Sequence, residues 1–121
     1  MVAPAEAVLR FLEGQVSRHR GAAAQFTRGA LTFAVSSDDD GLTDYWTLYL
    51  TPRGASLEHG AAPLEYTAPL ATLYASPTAL AAVTRGEEAA DLSADGDRTV
   101  LRAVAACLGD SMDLIGARAW R

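Results

Sequence analysis

The chain has 121 residues, of which half are apolar and 21% are charged, with a net charge of −5 at pH 7. These values predict one globular domain with a single core and exclude an intrinsically disordered chain. All ten basic residues are arginines without a cluster, so no basic face is available for nucleic acid. No apolar stretch approaches the roughly 20 residues of a membrane helix. The N-terminal residues lack a signal-peptide pattern, so we expect a cytoplasmic protein.

Side chains that usually carry catalysis or bind metals are scarce. The sequence has one cysteine, Cys107, and two histidines, His19 and His59. It therefore offers no internal disulfide and no cysteine-based zinc site. The acidic run before Gly41 lacks the ligand spacing of a calcium loop and predicts a solvated hairpin turn. We expect no enzyme activity, no cofactor and no metal site.

An amphipathic helix is predicted from Pro4 to about Arg20. Proline suits the first turn of a helix, and Glu6 suits the positive end of the helix dipole. Apolar side chains recur at three- and four-residue spacing and predict one buried stripe, which comprises Val8, Leu9, Phe11, Leu12 and Val16.

Three strands joined by turns are predicted next. Large apolar residues alternate with polar or small ones over residues 26–37 and 45–51, which is typical of half-buried strands. A turn that contains Gly41 separates the two runs, so they predict an antiparallel hairpin. A shorter third strand covers residues 55–58. We expect His59, just after this strand, to be a surface residue in a turn.

The second half of the chain predicts a strand, a helix, a strand and a helix. Residues 70–75 and 90–95 alternate in hydropathy as strands do. The pairs Ser76-Pro77 and Gly96-Asp97 have the residue types that begin helices. Strands with helices that cover one face predict an α+β fold, in a single domain spanning residues 1–121.

Four stretches in this order resemble the sterol carrier protein 2 (SCP2-like) family. They are the hairpin of residues 31–35 and 45–50, the junction 71–77, the helix end Thr84-Arg85-Gly86, and Gly96-Asp97 opening a helix with Val100 and Leu101. The resemblance covers about residues 5–108 and implies a five-stranded, mainly antiparallel sheet with helices packed on one face. Only nine residues separate Gly86 from Gly96. This short form is similar to the C-terminal module of mycothiol-dependent maleylpyruvate isomerases, whose chemistry belongs to a separate domain.

The resemblance also implies a function. Family members bind lipids such as sterols, fatty acids or fatty acyl-CoA in an apolar tunnel between the sheet and the helices. Carried onto this chain, the function would be non-enzymatic binding or carriage of an apolar small molecule. The ligand-binding residues would be Phe33, Trp46, Leu48, Leu73, Leu80, Val83, Val104 and Leu108, with Leu31, Leu57 and Leu92 as further walls.

The alternative function is an interaction module whose pocket has closed. An empty cavity of about 300 Å³ costs roughly 7 kcal/mol, which is comparable with the total stability of about 5–15 kcal/mol of a small domain. The layer between sheet and helices must therefore hold a ligand or pack shut. In the second case we expect a homodimer through the face that carries Tyr45 and Tyr49, or through the tail of residues 110–121. The same tail could instead fold back as a lid and bury Trp120.

Overall fold

The computed structural model describes residues 4–18, 28–36, 42–84 and 92–107. Its elements in chain order are α1 (Pro4–Arg18), β1 (Gly29–Ser36), β2 (Thr43–Thr51), β3 (Gly54–His59), β4 (Leu70–Ala75), α2 (Pro77–Thr84), β5 (Ser93–Gly96) and α3 (Arg98–Cys107). The element order predicted from the sequence is confirmed. No helix in these ranges is long and apolar enough to cross a membrane. The acidic turn, His19 and the tail of residues 110–121 lie outside the described residues.

The five strands form one sheet in the order β3-β2-β1-β4-β5. Strand β2 pairs antiparallel with β1 and with β3, as the predicted meander requires, and β4 pairs antiparallel with β5. Strands β1 and β4 are parallel. Because parallel neighbours need a crossover, the chain must travel from the edge strand β3 to the far side of β1. The sheet is mainly antiparallel, as predicted.

Residues 60–69 make this crossover over the face of the sheet opposite the helices, which we call the outer face. At one end the hydroxyl of Thr47 donates to the Gly60 carbonyl at 2.8 Å. At the other end the Ala30 N–H donates to the Pro69 carbonyl at 3.0 Å. The Gly60 N–H also donates to the carbonyl of Tyr45, which pairs with Ala34, so the two ends of the segment are about four residues apart along β1. The segment therefore runs diagonally across the outer face.

The crossover changes the environment of the tyrosine face. The ring of Tyr66 packs edge-to-face against Tyr49, with ring centroids 5.9 Å apart, and Tyr49 is half-buried. Tyr45, near the other end of the same strand, is 43% exposed. The face that carries Tyr45 and Tyr49 is thus partly covered by the chain itself.

The three helices that the structure describes cover the opposite face of the sheet, which we call the inner face. Their buried side chains belong to the same apolar cluster as the inward side chains of all five strands. The helical members are Leu9, Leu12, Val16, Ala79, Leu80, Val100, Leu101, Ala103 and Val104. Phe11 is a correction to the predicted stripe, because it is 52% exposed. At about 100° per residue, Phe11 lies well away from the line through Leu9, Leu12 and Val16.

Helices α2 and α3 begin at the residues predicted to cap them. The Ala79 N–H donates to the Ser76 hydroxyl at 3.0 Å, and the Thr99 N–H donates to the Asp97 carboxylate at 2.9 Å. Each cap satisfies a backbone donor that the first helical turn leaves without a partner. Gly96, which the sequence pairs with Asp97 at the start of this helix, is the last residue of β5 and has a φ of +95°.

Helix α1 closes the free edge of β3 with its side chains. The Ser17 hydroxyl lies 3.3 Å from both the N–H and the carbonyl of Ala55. One turn earlier, the carboxylate of Glu13 accepts the Leu57 N–H at 2.5 Å. Edge strands otherwise present unpaired backbone groups to other chains. A helix here provides the partners that a sixth strand would provide.

Candidate functional site

Most of the predicted ligand-binding residues meet in one buried cluster on the inner face. Within the described residues this cluster includes Phe33, Trp46, Leu48, Leu73, Leu80 and Val104, each no more than 6% exposed. The backbone of Val83 lies in α2, and all of Leu108 lies outside the described residues. The further wall residues Leu31 and Leu57 are buried in the same cluster, and Leu92 is partly buried against it.

Strand register arranges the inner residues in a row that crosses all five strands. Phe33 on β1 lies opposite Trp46 on β2 and Leu73 on β4. Leu73 lies opposite Ala94 on β5, and Trp46 lies opposite His59 on β3. The row is apolar from β5 to β2 and becomes polar at the β3 edge. The apolar part of this row can enclose an apolar molecule.

The polar end of the row is a cluster of three side chains. The rings of Trp46 and His59 stack with centroids 4.2 Å apart and an angle of 16° between their planes. The Asp44 carboxylate bonds to both rings, at 2.6 Å from His59 Nε2 and 3.2 Å from Trp46 Nε1. The Arg10 guanidinium lies 6.0 Å from the centroid of the Trp46 ring. His59 is exposed, as predicted, but its placement in a turn is corrected, because it is the last residue of β3.

The cluster fixes conformation and is not a complete chemical site within the described ranges. Asp44 holds the orientation of both rings near the end of the β1–β2 ladder. His59 and Asp44 supply only two metal-ligating groups, and the described residues contain no group of three. The sequence pattern does not reveal this cluster, because the register that brings Asp44, Trp46 and His59 together is a long-range property of the fold.

A second concave surface lies on the outer face, beneath the crossover. It is a cleft of about 430 Å³ lined by Arg28, Gly29, Tyr49, Leu50, Thr51, Ser56, Glu58, Pro63 and Tyr66. Burial raises the pKa of both tyrosine phenols, and the nearby Glu58 carboxylate raises the pKa of Tyr49 further. Both phenols therefore remain protonated at neutral pH. No sequence pattern marks these residues as a cleft, since the irregular segment of residues 60–69 creates it.

The arrangement of strands and helices matches a solved structure. The match is sterol carrier protein 2 from Yarrowia lipolytica in its apo form, with a TM-score of 0.53 and 16% identity, over 77% of this chain and 83% of that chain. The chain has an SCP2-like fold. No protein-family model matches the sequence, and no curated protein matches it. The SCP2-like fold accounts for the five-stranded sheet and its helices, while the likeness to the isomerase module has no support from these comparisons.

Proposed function

We propose that this chain binds an apolar small molecule, such as a fatty acyl chain or a sterol-like lipid, between the sheet and the helices. The observation that carries the proposal is the apolar row from Ala94 to Trp46 on the inner face of an SCP2-like fold. The name of the structural neighbour describes a sterol carrier. Binding of this kind is non-enzymatic, because enclosure requires neither a nucleophile nor a metal.

The free energy gained by burying a lipid chain limits how tightly the chain can bind. Ten buried methylene groups contribute roughly 8 kcal/mol at about 0.8 kcal/mol each, against an association cost of about 4 kcal/mol or more. The remainder is at most about 4 kcal/mol, which corresponds to a Kd no tighter than about 1 mM. Tighter binding requires a longer chain or a polar anchor.

Native mass spectrometry followed by organic extraction tests this function directly. A co-purifying lipid in stoichiometric amount is the expected result, or else uptake of added palmitate or palmitoyl-CoA at one molecule per chain. In a Trp120→Phe variant, Trp46 is the single tryptophan, and its emission should change with the same saturation curve. A clean apo mass that no added lipid alters would overturn the proposal.

A pair of substitutions on α2 localises the ligand. Leu80 is 2% exposed and belongs to the buried cluster between the sheet and the helices, whereas Thr78 is exposed on the same helix. Leu80→Phe adds volume to the layer, so we expect at least fivefold weaker palmitate binding with a folded circular dichroism spectrum. Thr78→Phe adds the same ring outside the layer and should leave the Kd unchanged. Equal Kd values for the two variants would place the ligand elsewhere.

A second candidate function is a closed SCP2-like module that dimerises with a second copy of this chain. It is favoured by the deep burial of Leu80 and Val104, at 2% and 1% exposure, and by the exposure of Tyr45 on the outer face. Tyr is enriched at protein interfaces. Sedimentation equilibrium should then give a dimer that Tyr45→Arg dissociates and that Leu64→Arg, at a fully exposed crossover position, leaves intact. A monomer at all concentrations would exclude it.

A further inference from the structure

The cleft beneath the crossover combines two aromatic walls with one cation and one anion. Tyr49 projects from β2 on the outer face, and Tyr66 meets it edge-to-face from residues 60–69. The guanidinium of Arg28 lies 5.5 Å from the Tyr66 ring centroid. Glu58 lines the cleft from the edge strand β3. A volume of about 430 Å³ falls within the range of roughly 300–1,000 Å³ typical of small-molecule sites.

Register places the two charges at opposite ends of the cleft. Arg28 precedes Gly29, which pairs with Leu50, whereas Glu58 pairs with Thr47. Arg28 and Glu58 are therefore two strands apart laterally and about four residues apart along the strands. With about 4.8 Å between strands and 3.4 Å per residue, their Cα atoms are roughly 17 Å apart. After allowance for the two side chains, the space between the charges is about one aromatic ring with its substituents.

Neither charge is neutralised within the described part of the chain. The ion pairs found there involve Glu6, Arg10, Glu13, Asp44 and His59, and none includes Arg28 or Glu58. An arginine without a carboxylate partner, held over an aromatic ring, is suited to bind a planar anion. A carboxylate at the other end repels a second anion and accepts a hydrogen bond from a hydroxyl or amino group.

We infer that the outer-face cleft binds a small aromatic monocarboxylate that carries a hydrogen-bond donor at the opposite end of its ring. The ring lies against Tyr49 and Tyr66, the carboxylate pairs with Arg28, and the donor points to Glu58. The neutral phenols support this arrangement, because they add no negative charge that would oppose the ligand. This site is separate from the proposed lipid site on the inner face, since the sheet lies between them.

An NMR titration of the full chain, labelled with ¹⁵N, tests the site with 4-hydroxyphenylacetate as the probe. Saturable shifts are expected for the amides of Gly29, Thr51 and Ser56, with a Kd of about 0.1–1 mM. The uncharged probe 4-hydroxyphenylacetamide should bind about tenfold more weakly, and so should phenylacetate, which lacks the donor. No saturable shift at these amides up to about 10 mM would overturn the proposal.

Matched variants test which residue contacts each end of the ligand. Arg28→Gln should weaken binding of the acid about tenfold and leave the amide probe unchanged, whereas Arg53→Gln, at the exposed β2–β3 turn, should change neither. Glu58→Gln should reduce the preference for 4-hydroxyphenylacetate over phenylacetate, and Glu65→Gln should not. Equal affinity of the Arg28→Gln variant and the parent chain for the acid would contradict the assignment. Competition by palmitate would show that the two sites are not separate.

Discussion

At the scale of single residues, three glycines differ in what an added methyl group would meet. Gly14 lies at an exposed position of α1, where a Cβ atom would have nothing within 4 Å. Gly60 also has open space, but its φ of +111° is one that residues with side chains rarely adopt. At Gly96, with a φ of +95°, a Cβ atom would lie 2.5 Å from the Leu70 carbonyl oxygen. Close approach of β5 to β4 therefore requires glycine at this position.

These differences predict a graded alanine series. Gly14→Ala should stabilise the protein by about 0.5–1 kcal/mol, because alanine is the better helix former. Gly60→Ala should destabilise it by about 1 kcal/mol through backbone strain. Gly96→Ala should cost more than about 2 kcal/mol, since strain and a backbone clash combine. Urea unfolding measures all three, and a Gly96→Ala variant as stable as Gly60→Ala would contradict the geometry of this junction.

The cap of α3 predicts a pH-dependent contribution to stability. Hydrogen bonds from the hydroxyl and the N–H of Thr99 lower the pKa of Asp97 below its ordinary value of 3.8. A lowered folded-state pKa contributes stability above the unfolded-state pKa, and this contribution is lost as the pH falls through the folded-state pKa. Asp97→Ala should therefore cost about 1 kcal/mol at pH 7 and less at pH 3. Urea unfolding at both pH values measures the change.

A matched variant separates the two hydrogen bonds that Asp97 accepts. Thr99→Val removes the hydroxyl donor but keeps the N–H that Asp97 caps. We expect this variant to lose less stability at pH 7 than Asp97→Ala. The same loss at pH 3 and pH 7 for Asp97→Ala would show that the carboxylate charge does not contribute to the cap.

At the scale of elements, the contact between α1 and β3 has two functions. Leu9, Leu12 and Val16 bury the apolar side of the helix, while Ser17 and Glu13 occupy the backbone groups of the strand edge. The first function follows from helical periodicity, which the sequence displays. The second depends on two polar residues that a helical projection alone would place at the boundary of the apolar stripe.

Removal of both polar partners should open this edge. In a Glu13→Ala, Ser17→Ala variant, the amides of Ala55 and Leu57 lose their acceptors, so their hydrogen exchange should accelerate at least tenfold. A loss of about 1–3 kcal/mol in stability and a greater tendency to self-associate should accompany it. Gln15→Ala, on the same helix, serves as the control. Unchanged exchange at both amides would mean that the helix does not protect the edge.

At the scale of the whole molecule, one apolar cluster joins the five strands and the three helices of the described residues. No described element has a core of its own, so we expect a single cooperative unfolding transition. In the Trp120→Phe variant, the emission of Trp46 reports the β3 edge, while far-UV circular dichroism reports the helices and the sheet. The two urea curves should coincide. A different urea midpoint for the Trp46 emission would show that the β3 edge unfolds independently of the rest of the domain.

Local patterns predicted most of this architecture, and long-range contacts account for what they missed. Alternation identified β2, and the pairs Ser76-Pro77 and Gly96-Asp97 marked the starts of two helices. The His59–Trp46 stack depends on strand register, which no local pattern specifies. The outer cleft depends on where residues 60–69 pass, and an irregular segment has no periodicity that reveals its path. The six described members of the predicted ligand-binding set lie in one buried cluster, because inward alternation in strands and apolar stripes in helices both select core residues.

The parallel pairing of β1 with β4 has a consequence for synthesis on the ribosome. Strand β1 lies in the middle of the sheet, yet only its partner β2 follows it closely in the chain. Residues 70–75 are added roughly 2–8 s after Ser36 at about 5–20 residues per second. Throughout that interval β1, whose side chains are nearly all buried in the folded protein, has at least one edge without its partner strand. The vulnerable period for misassembly is therefore set by the length of the β2–β3 hairpin and the crossover, and codons that slow translation there would lengthen it.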